Sequence, residues 1–260
     1  MKRFLMLLIS VPLIFLTSAC QTTHEPHAAS APCETSVEKL VISPIQEERD
    51  NIYSLLAYAV VLSDWQQEGD KQRRGHNIGS VLVDENGKVV YSACNSNKIT
   101  RNGTQHGEVR LMIGYLDKIK TTDLRKHTIY TNLEPCAMCS GMMTLQKIQR
   151  TVYGQADPDY GKAIERLELD SHHLPNGFCP YPRGVVSDSS KTDAYKQLNA
   201  AFEKKGGSIT DFLLTDEAKK IHENARIELL AFKVSHSENE AILKDAIDFL
   251  NNKATCKFQP

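Results

Sequence analysis

The chain has 260 residues, which is enough for one large domain or for one domain with additions. Its hydrophobic fraction of 41% and charged fraction of 24% are ordinary for a soluble protein. The 31 basic and 32 acidic residues nearly cancel, so the surface as a whole has no field that would attract a polyanion such as nucleic acid.

The first 20 residues have the form of a targeting segment. Two basic residues precede an apolar run over residues 4–16 that is short for a bilayer span, as in a signal peptide. The small residues before Cys20 resemble a bacterial lipoprotein cleavage site, which implies a signal peptide over residues 1–19 and a lipid on Cys20. Gln21 then implies sorting to the outer membrane, so we expect a location that faces the periplasm. An ordinary secretory signal with an incidental cysteine is the alternative.

Residues 20–40 are rich in small and polar residues and predict a flexible tether between the lipid and the folded part. Apolar residues at helical spacing then predict a helix over residues 46–67. Residues 69–75 are polar and include three basic side chains. We interpret this segment as a solvated surface loop rather than as a phosphate contact.

The middle of the chain alternates between predicted strands and helices, which indicates an α/β fold. The predicted strands are residues 78–83, 88–93, 127–132 and 149–154. The first two flank Asn86-Gly87, which is a strong hairpin signal. The polar stretch over residues 94–105 is expected to form one wall of a pocket.

Two short motifs carry the chemistry, and the first is His106-Gly107-Glu108. Apolar residues at helical spacing follow it, so the motif is expected to open a helix. Side chains two positions apart diverge within a helix, but at a helix start both can lean into one pocket. Imidazole is a common zinc ligand, and a carboxylate beside zinc-bound water can act as a general base and then as a general acid.

The second motif is Pro135-Cys136-Ala137-Met138-Cys139, which also opens a predicted helix. Its two cysteines share a helix face, and the positive end of the helix dipole favours their thiolates. Alone, such a pair could equally be a redox pair, half of a disulfide or buried core. With His106 it makes three zinc ligands, the number found where a catalytic site keeps one position for water.

The order His-x-Glu followed by Pro-Cys-x-x-Cys is the pattern of zinc-dependent deaminases. From about residue 78 to residue 154 the chain resembles the cytidine/deoxycytidylate deaminase superfamily. Residues 131–143 are most similar to bacterial tRNA adenosine deaminases and to guanine deaminases. The resemblance implies a three-layer α/β/α fold with a five-stranded mixed sheet.

The same resemblance implies a role for each matched residue. The Zn²⁺ ligands would be His106, Cys136 and Cys139. Glu108 would be the catalytic proton shuttle. Asn95 stands where purine-acting members hold the substrate with an asparagine. Gly107 stands at the position whose backbone N–H contacts the base in members of the family.

The C-terminal part is predicted as a proline-rich loop followed by helices. Within the loop over residues 157–183, His172, His173 and Phe178 are pocket candidates by position, although surface and packing roles are favoured. The predicted helices are residues 193–204, 211–232 and 237–253. We therefore predict a deaminase domain over residues 41–185 and a helical extension, packed on the core, over residues 186–260.

Four cysteines remain after lipid and zinc have been assigned, and an exported protein can form disulfides. These are Cys33, Cys94, Cys179 and Cys256. We expect a Cys33–Cys256 link that ties the two ends together and a buried Cys94 thiol. The spacing itself leaves the other pairings open.

These observations predict a zinc-dependent hydrolytic deaminase of a nucleobase, a nucleoside or a similar aminated heterocycle. The alternatives are a nucleic-acid-editing deaminase, of the tRNA adenosine type or an exported toxin, and an inactive zinc-binding module. Long segments on both sides of the matched region argue against a tRNA substrate. Aromatic residues are only 7% of the chain, and no stacking platform stands out. The expected partners are a small substrate, a membrane through the lipid, and a second copy of the chain, because relatives are often dimers.

Overall fold

The computed structural model describes Cys33 and residues 41–257. The predicted signal peptide over residues 1–19, the predicted lipidation site Cys20 and nearly all of the predicted tether lie outside the described residues. The chain divides into the units Met1–Pro32 and Cys33–Pro260, and every described residue belongs to the second unit. None of the helices in this described part is both long and apolar enough to cross a membrane.

The first helix, α1, runs over Pro44–Val61 and lies in the core. It begins where its sequence favours a start, because the Ser43 hydroxyl accepts a hydrogen bond from the backbone N–H of Gln46 and proline occupies the first turn. The whole C-terminal half of the helix is buried, as expected for a helix that is apolar around its circumference. One 3-10 turn, Leu62–Asp64, extends it, so the predicted helix over residues 46–67 ends slightly early.

Five strands form one mixed sheet in the order β2-β1-β3-β4-β5. They are β1 (Gly79–Val83), β2 (Val89–Cys94), β3 (Thr128–Thr131), β4 (Arg150–Tyr153) and β5 (Val186–Ser189). Strand β1 pairs antiparallel with β2 and β3, whereas β3, β4 and β5 are parallel. The expected α/β class with a five-stranded mixed sheet is confirmed. Strand β5 was not predicted, and it lies beyond residue 185, where we expected the helical extension to begin.

Seven further helices flank the sheet in the described part of the chain. They are α2 (Gly107–Ile119), α3 (Ala137–Leu145), α4 (Ala163–Leu167), α5 (Asp193–Lys205), α6 (Ile209–Phe212), α7 (Asp216–Ala231) and α8 (Glu240–Asn252). Alternate strand residues point to opposite faces. Leu82 and Ile129 therefore pack with α2 and α3, whereas Val81 and Tyr130 pack with α1 and the C-terminal helices. The result is the expected three-layer α/β/α arrangement.

The C-terminal helices complete the layer that contains α1. Helix α7 buries a stripe at helical spacing, comprising Ala218, Ile221, Ala225 and Leu229, and it packs along α1. The helix predicted over residues 211–232 is divided in the structure. Helix α6 ends at Phe212, and Thr215 caps α7, because its side chain accepts a hydrogen bond from the Ala218 N–H. The short helix α4 lies in the region predicted as loop.

The disulfides differ from the expected pairing. Cys33 pairs with Cys179, with 5.5 Å between their Cα atoms, and Cys94 pairs with Cys256, with 5.1 Å between theirs. The expected Cys33–Cys256 link and the expected free Cys94 thiol are both wrong. The physical reason is the packing of α8 against α1 and β2, which brings the segment after α8 to the end of β2.

Candidate active site

The two predicted metal-binding motifs meet at one edge of the sheet. His106 is the N-cap of α2, and Cys136 is the N-cap of α3. The start of β1 and the ends of β2 and β3 lie in register at this edge, and both helices begin beside it. The positive ends of two helix dipoles therefore converge on one place, which favours thiolate and carboxylate groups there.

Three potential ligand atoms form a nearly equilateral triangle. The Sγ atoms of Cys136 and Cys139 are 3.6 Å apart, and each lies 3.6 Å from Nδ1 of His106. Tetrahedral zinc, with Zn–S of about 2.3 Å and Zn–N of about 2.0 Å, requires about 3.8 Å between sulfurs and about 3.5 Å between sulfur and nitrogen. The donor set and its spacing therefore fit a zinc ion.

The surroundings of the two thiols shift their pKa values in opposite directions. The pKa of Cys136 is lowered to about 4, chiefly because the Cys139 thiol hydrogen-bonds to it and secondly because His106 does. The same hydrogen bond, together with burial, raises the pKa of Cys139 well above its ordinary value. Cys136 is therefore the more acidic of the two thiols.

Glu108 lies in the first turn of α2 beside this triangle. Its side chain is 2% exposed, and Oε2 has no hydrogen-bond partner among the described residues. Burial raises the pKa of its carboxyl group. A carboxylate that keeps one oxygen unpaired in a pocket can accept and return a proton. The motif thus opens a helix, as its sequence predicts, and both side chains face one site.

Asn95 holds its amide in a fixed orientation with one end unused. Its Oδ1 accepts a hydrogen bond from the backbone N–H of Gly107 at 2.6 Å. Its Nδ2 is buried and has no partner among the described residues. The Gly107 N–H thus orients the Asn95 amide, whose own N–H groups remain available for a substrate acceptor. A contact of the Gly107 N–H with a base stays a prediction.

Arg74 holds the backbone of Asn95 in place, and it was not predicted from the sequence as a residue of the site. It is 3% exposed, its Nε forms an ion pair with Asp64 at 2.9 Å, and its Nη1 donates to the backbone carbonyl of Asn95. The segment we predicted to be a solvated loop is thus partly buried. The three basic residues of this segment have the sequence pattern of a surface loop, and only the packing shows that Arg74 is buried.

Glu134 holds the loop on the other side of the site. Its two carboxylate oxygens accept hydrogen bonds from the backbone N–H groups of Asp157 and Lys162, at 3.0 Å and 2.9 Å. Gly161 passes so close that a Cβ there would lie 2.3 Å from the Glu134 carboxylate. The buried glutamate before the first cysteine therefore shapes the loop that carries Asp157 and Tyr160.

These groups line one cavity of about 510 Å³. The predicted site residues Asn95, His106, Glu108 and Cys136 line it, whereas Gly107 and the buried Cys139 do not. His76, Tyr160 and Thr210 also line it. The weaker candidates His172, His173 and Phe178 do not line it. His76 precedes β1 at the sheet edge and Thr210 lies in α6, so neither stands inside a recognised motif.

A buried polar network ties α7 to the sheet next to the site. Asn132 accepts from the Gly79 N–H and donates to the Asn77 carbonyl and to Nε2 of His222, the last at 3.1 Å. Nδ1 of His222 donates to the carbonyl of Ala218 at 2.8 Å. The C-terminal helices thus contribute to the segment that leads from β3 to Cys136.

Comparison with known proteins shows what this sequence is similar to. The family model of the cytidine and deoxycytidylate deaminase zinc-binding region matches residues 54–155. A probable cytosine deaminase of Schizosaccharomyces pombe is 37% identical over 106 residues, which are 40% of this chain and 57% of that relative. The chain therefore matches little more than half the length of that protein. A tRNA-specific adenosine deaminase of Rickettsia bellii is 32% identical over 128 residues, which are 49% of this chain and 86% of the relative.

A solved structure of a guanine deaminase from Nitrosomonas europaea aligns with 72% of this chain and 87% of its own. The two sequences are 17% identical, and the TM-score is 0.39.

Proposed function

The chain belongs to the cytidine and deoxycytidylate deaminase family, and we propose that it is a zinc-dependent hydrolytic deaminase of a nucleobase, nucleoside or similar aminated heterocycle. The observation that carries this proposal is the buried Glu108 carboxylate, with an unpaired oxygen, beside a three-membered ligand set. A purely structural zinc site would use four protein ligands and would need no such carboxylate.

The residues divide the work between binding and proton transfer. His106, Cys136 and Cys139 would hold the zinc ion, which when bound lowers the pKa of a water toward about 7. Glu108 accepts a proton at Oε2 and returns it to the departing amine, as a general base and then as a general acid. Asn95 donates from Nδ2 to an acceptor on the substrate and so orients the ring.

An ammonia-release assay on the purified protein tests this function. Free bases, nucleosides, nucleotides and pterins are offered, and Glu108→Gln is compared with the wild-type protein and with Glu165→Gln on the short helix α4. We expect Glu108→Gln to keep zinc and to lose about 10²–10⁴-fold in turnover. Wild-type turnover in that variant, or a zinc-loaded protein that deaminates nothing, would overturn the proposal.

Adenosine in a structured RNA is the second candidate substrate. The relatives named tRNA-specific adenosine deaminases favour it, because one of them is covered over 86% of its length. The balanced charge of the chain argues against it. Deamination of a tRNA anticodon stem-loop faster than that of every small compound would favour this candidate over a small substrate.

We further propose that Cys20 carries a lipid and holds the protein at the outer membrane, on the periplasmic side. The two disulfides of the described part support an exported location, because disulfides persist in oxidising compartments. A Cys20→Ser variant is expected to move from the membrane fraction to the soluble periplasmic fraction. Unchanged fractionation would contradict this anchor.

We propose separately that the protein forms a homodimer. The exposed apolar residues Met138, which lines the cavity, and Leu145, at the C-terminal end of α3, support it. Light scattering of the purified chain decides it, and a monomer at micromolar concentration would refute it.

A further inference from the structure

Two residues that line the cavity, His76 and Thr210, take no part in the proposed chemistry and are partly exposed, unlike the buried Asn95 and Glu108. His76 precedes β1, and Thr210 lies in the short helix α6. Both line the same cavity as Glu108 and Asn95. Helix α6 lies outside the matched family region, residues 54–155, whereas His76 lies within it.

Resting on the proposed function, we propose that His76 and Thr210 form a subsite for the sugar of a nucleoside. The substrate class is then the nucleoside, in preference to the free base or the nucleotide. The amine-bearing ring occupies the inner cavity beside Glu108 and Asn95, and the sugar hydroxyl groups face the two outer side chains.

The chemistry of the His76 ring fits a hydroxyl group. The ring is half-buried, and no described residue forms a hydrogen bond with either ring nitrogen. Burial, reinforced by Lys98 and Arg73, lowers its pKa to about 4, so the ring is neutral near pH 7. A neutral imidazole offers one donor and one acceptor, which a sugar hydroxyl complements with its own acceptor and donor.

The charges of the cavity lining do not favour a phosphate over a sugar. Among the described residues, the lining includes the carboxyl groups of Glu134 and Asp157 but no lysine or arginine. The nearby Lys98 and Arg73 are opposed by Asp211. Thr210 is half-buried, and its hydroxyl lies 2.9 Å from that of Ser208, which leaves it a further hydrogen bond to offer. Two uncharged hydrogen-bonding groups therefore face the outer cavity.

The size of the cavity is consistent with more than a base. Pockets of about 300–1,000 Å³ hold drug-sized ligands. The cavity measures about 510 Å³, which is large enough for a nucleoside.

The test compares matched sets of free base, nucleoside and 5′-monophosphate for adenine, guanine and cytosine, with kcat/KM measured by ammonia release. The variants are His76→Phe, which keeps a ring without nitrogen, His76→Asn, which keeps a donor and an acceptor, and Thr210→Val, which keeps the shape. His173→Phe makes the same change at an exposed histidine outside the cavity. Thermal unfolding shows that each variant is folded, and Thr210→Val serves if a His76 variant is not.

We expect the wild-type protein to prefer a nucleoside over its base, and His76→Phe to lower kcat/KM for that nucleoside about tenfold. The loss should be smaller for His76→Asn, and His76→Phe should lower kcat/KM for the nucleoside more than for its free base. An unchanged base-to-nucleoside ratio in both His76→Phe and Thr210→Val, or a wild-type preference for the base or the monophosphate, overturns the subsite. Absence of turnover for every compound instead overturns the proposed function, and the subsite with it.

Discussion

His222 makes the stability of the protein depend on pH in a defined direction. The ring is fully buried, and its pKa is lowered to about 4, because burial disfavours the charged form. The only opposing contribution is the hydrogen bond to the carbonyl of Ala218. Protonation would also place a second N–H opposite the N–H group of Asn132, which now donates to Nε2.

The magnitude follows from linkage between protonation and folding. The folded pKa of about 4 lies below the unfolded value of about 6.5, so the unfolded state binds more protons between these pH values. The stabilising contribution of neutral His222 is therefore complete above pH 6.5 and is lost as the pH falls. The loss is about 2 kcal/mol at pH 5 and about 3 kcal/mol at pH 4.

Urea unfolding at pH 7 and at pH 5 measures this loss, and the chain supplies its own probe. Trp65 is the single tryptophan, and its ring centroid lies 5.1 Å from that of His222. His222→Gln removes the titrating group, and His173→Gln makes the same change at an exposed site. Release of zinc in acid and titration of His76 affect all three proteins alike, so the difference between them isolates His222.

We expect the wild-type protein and His173→Gln to lose about 2 kcal/mol more than His222→Gln between pH 7 and pH 5. A parallel decline of all three proteins, within about 0.5 kcal/mol, would show that the buried ring does not control acid stability. A steeper decline in His222→Gln would contradict the sign of the pKa shift.

Three other outcomes follow from the contacts. Asn95→Ala should lower kcat/KM about 10- to 100-fold with zinc content unchanged, because the donor from Nδ2 is lost; a change below twofold would refute its binding role. Arg74→Met should cost about 3 kcal/mol in urea unfolding and raise KM, because it leaves Asp64 without its buried partner; wild-type stability would contradict this. Chelation should lower the unfolding temperature and make Cys136 and Cys139 reactive toward a thiol reagent, since the described part contains no other free cysteine; unchanged thiol reactivity after zinc removal would argue against them as ligands.

The local part of the site could be predicted from the sequence, because it depends on short spacing at two helix starts. His106 and Glu108 are two positions apart, and Cys136 and Cys139 are three apart, so each motif needs only its own helix to orient it. The structure brings the three ligand atoms to 3.6 Å of one another. That distance depends on the sheet, whose mixed topology the family resemblance implied.

The supporting residues could not be predicted, because polar residues inside a protein look like surface residues in a sequence. Arg74 stands among basic neighbours, and His222 stands in a helix whose other faces are charged. The Cys94–Cys256 pair spans 162 residues, so its formation depends on where α8 packs. Strand β5 has a single apolar residue, Val186, and is half-exposed along its length, so it lacks the alternation that marks a strand.

In and around this pocket, the structural side chains and the proposed functional side chains differ in how completely they are hydrogen-bonded. Next to the site, every polar side-chain atom of Asn77, Asn132 and His222 is paired, although all three side chains are fully buried. Among the described residues that line the cavity, Asn95 and Glu108 each keep one buried polar atom unpaired. An unpaired buried polar group costs about 1–3 kcal/mol, so a ligand that supplied the missing partner would be favoured at these two atoms. The unpaired donor of Asn95 and the unpaired acceptor of Glu108 therefore indicate where a substrate with both an acceptor and a transferable proton would bind.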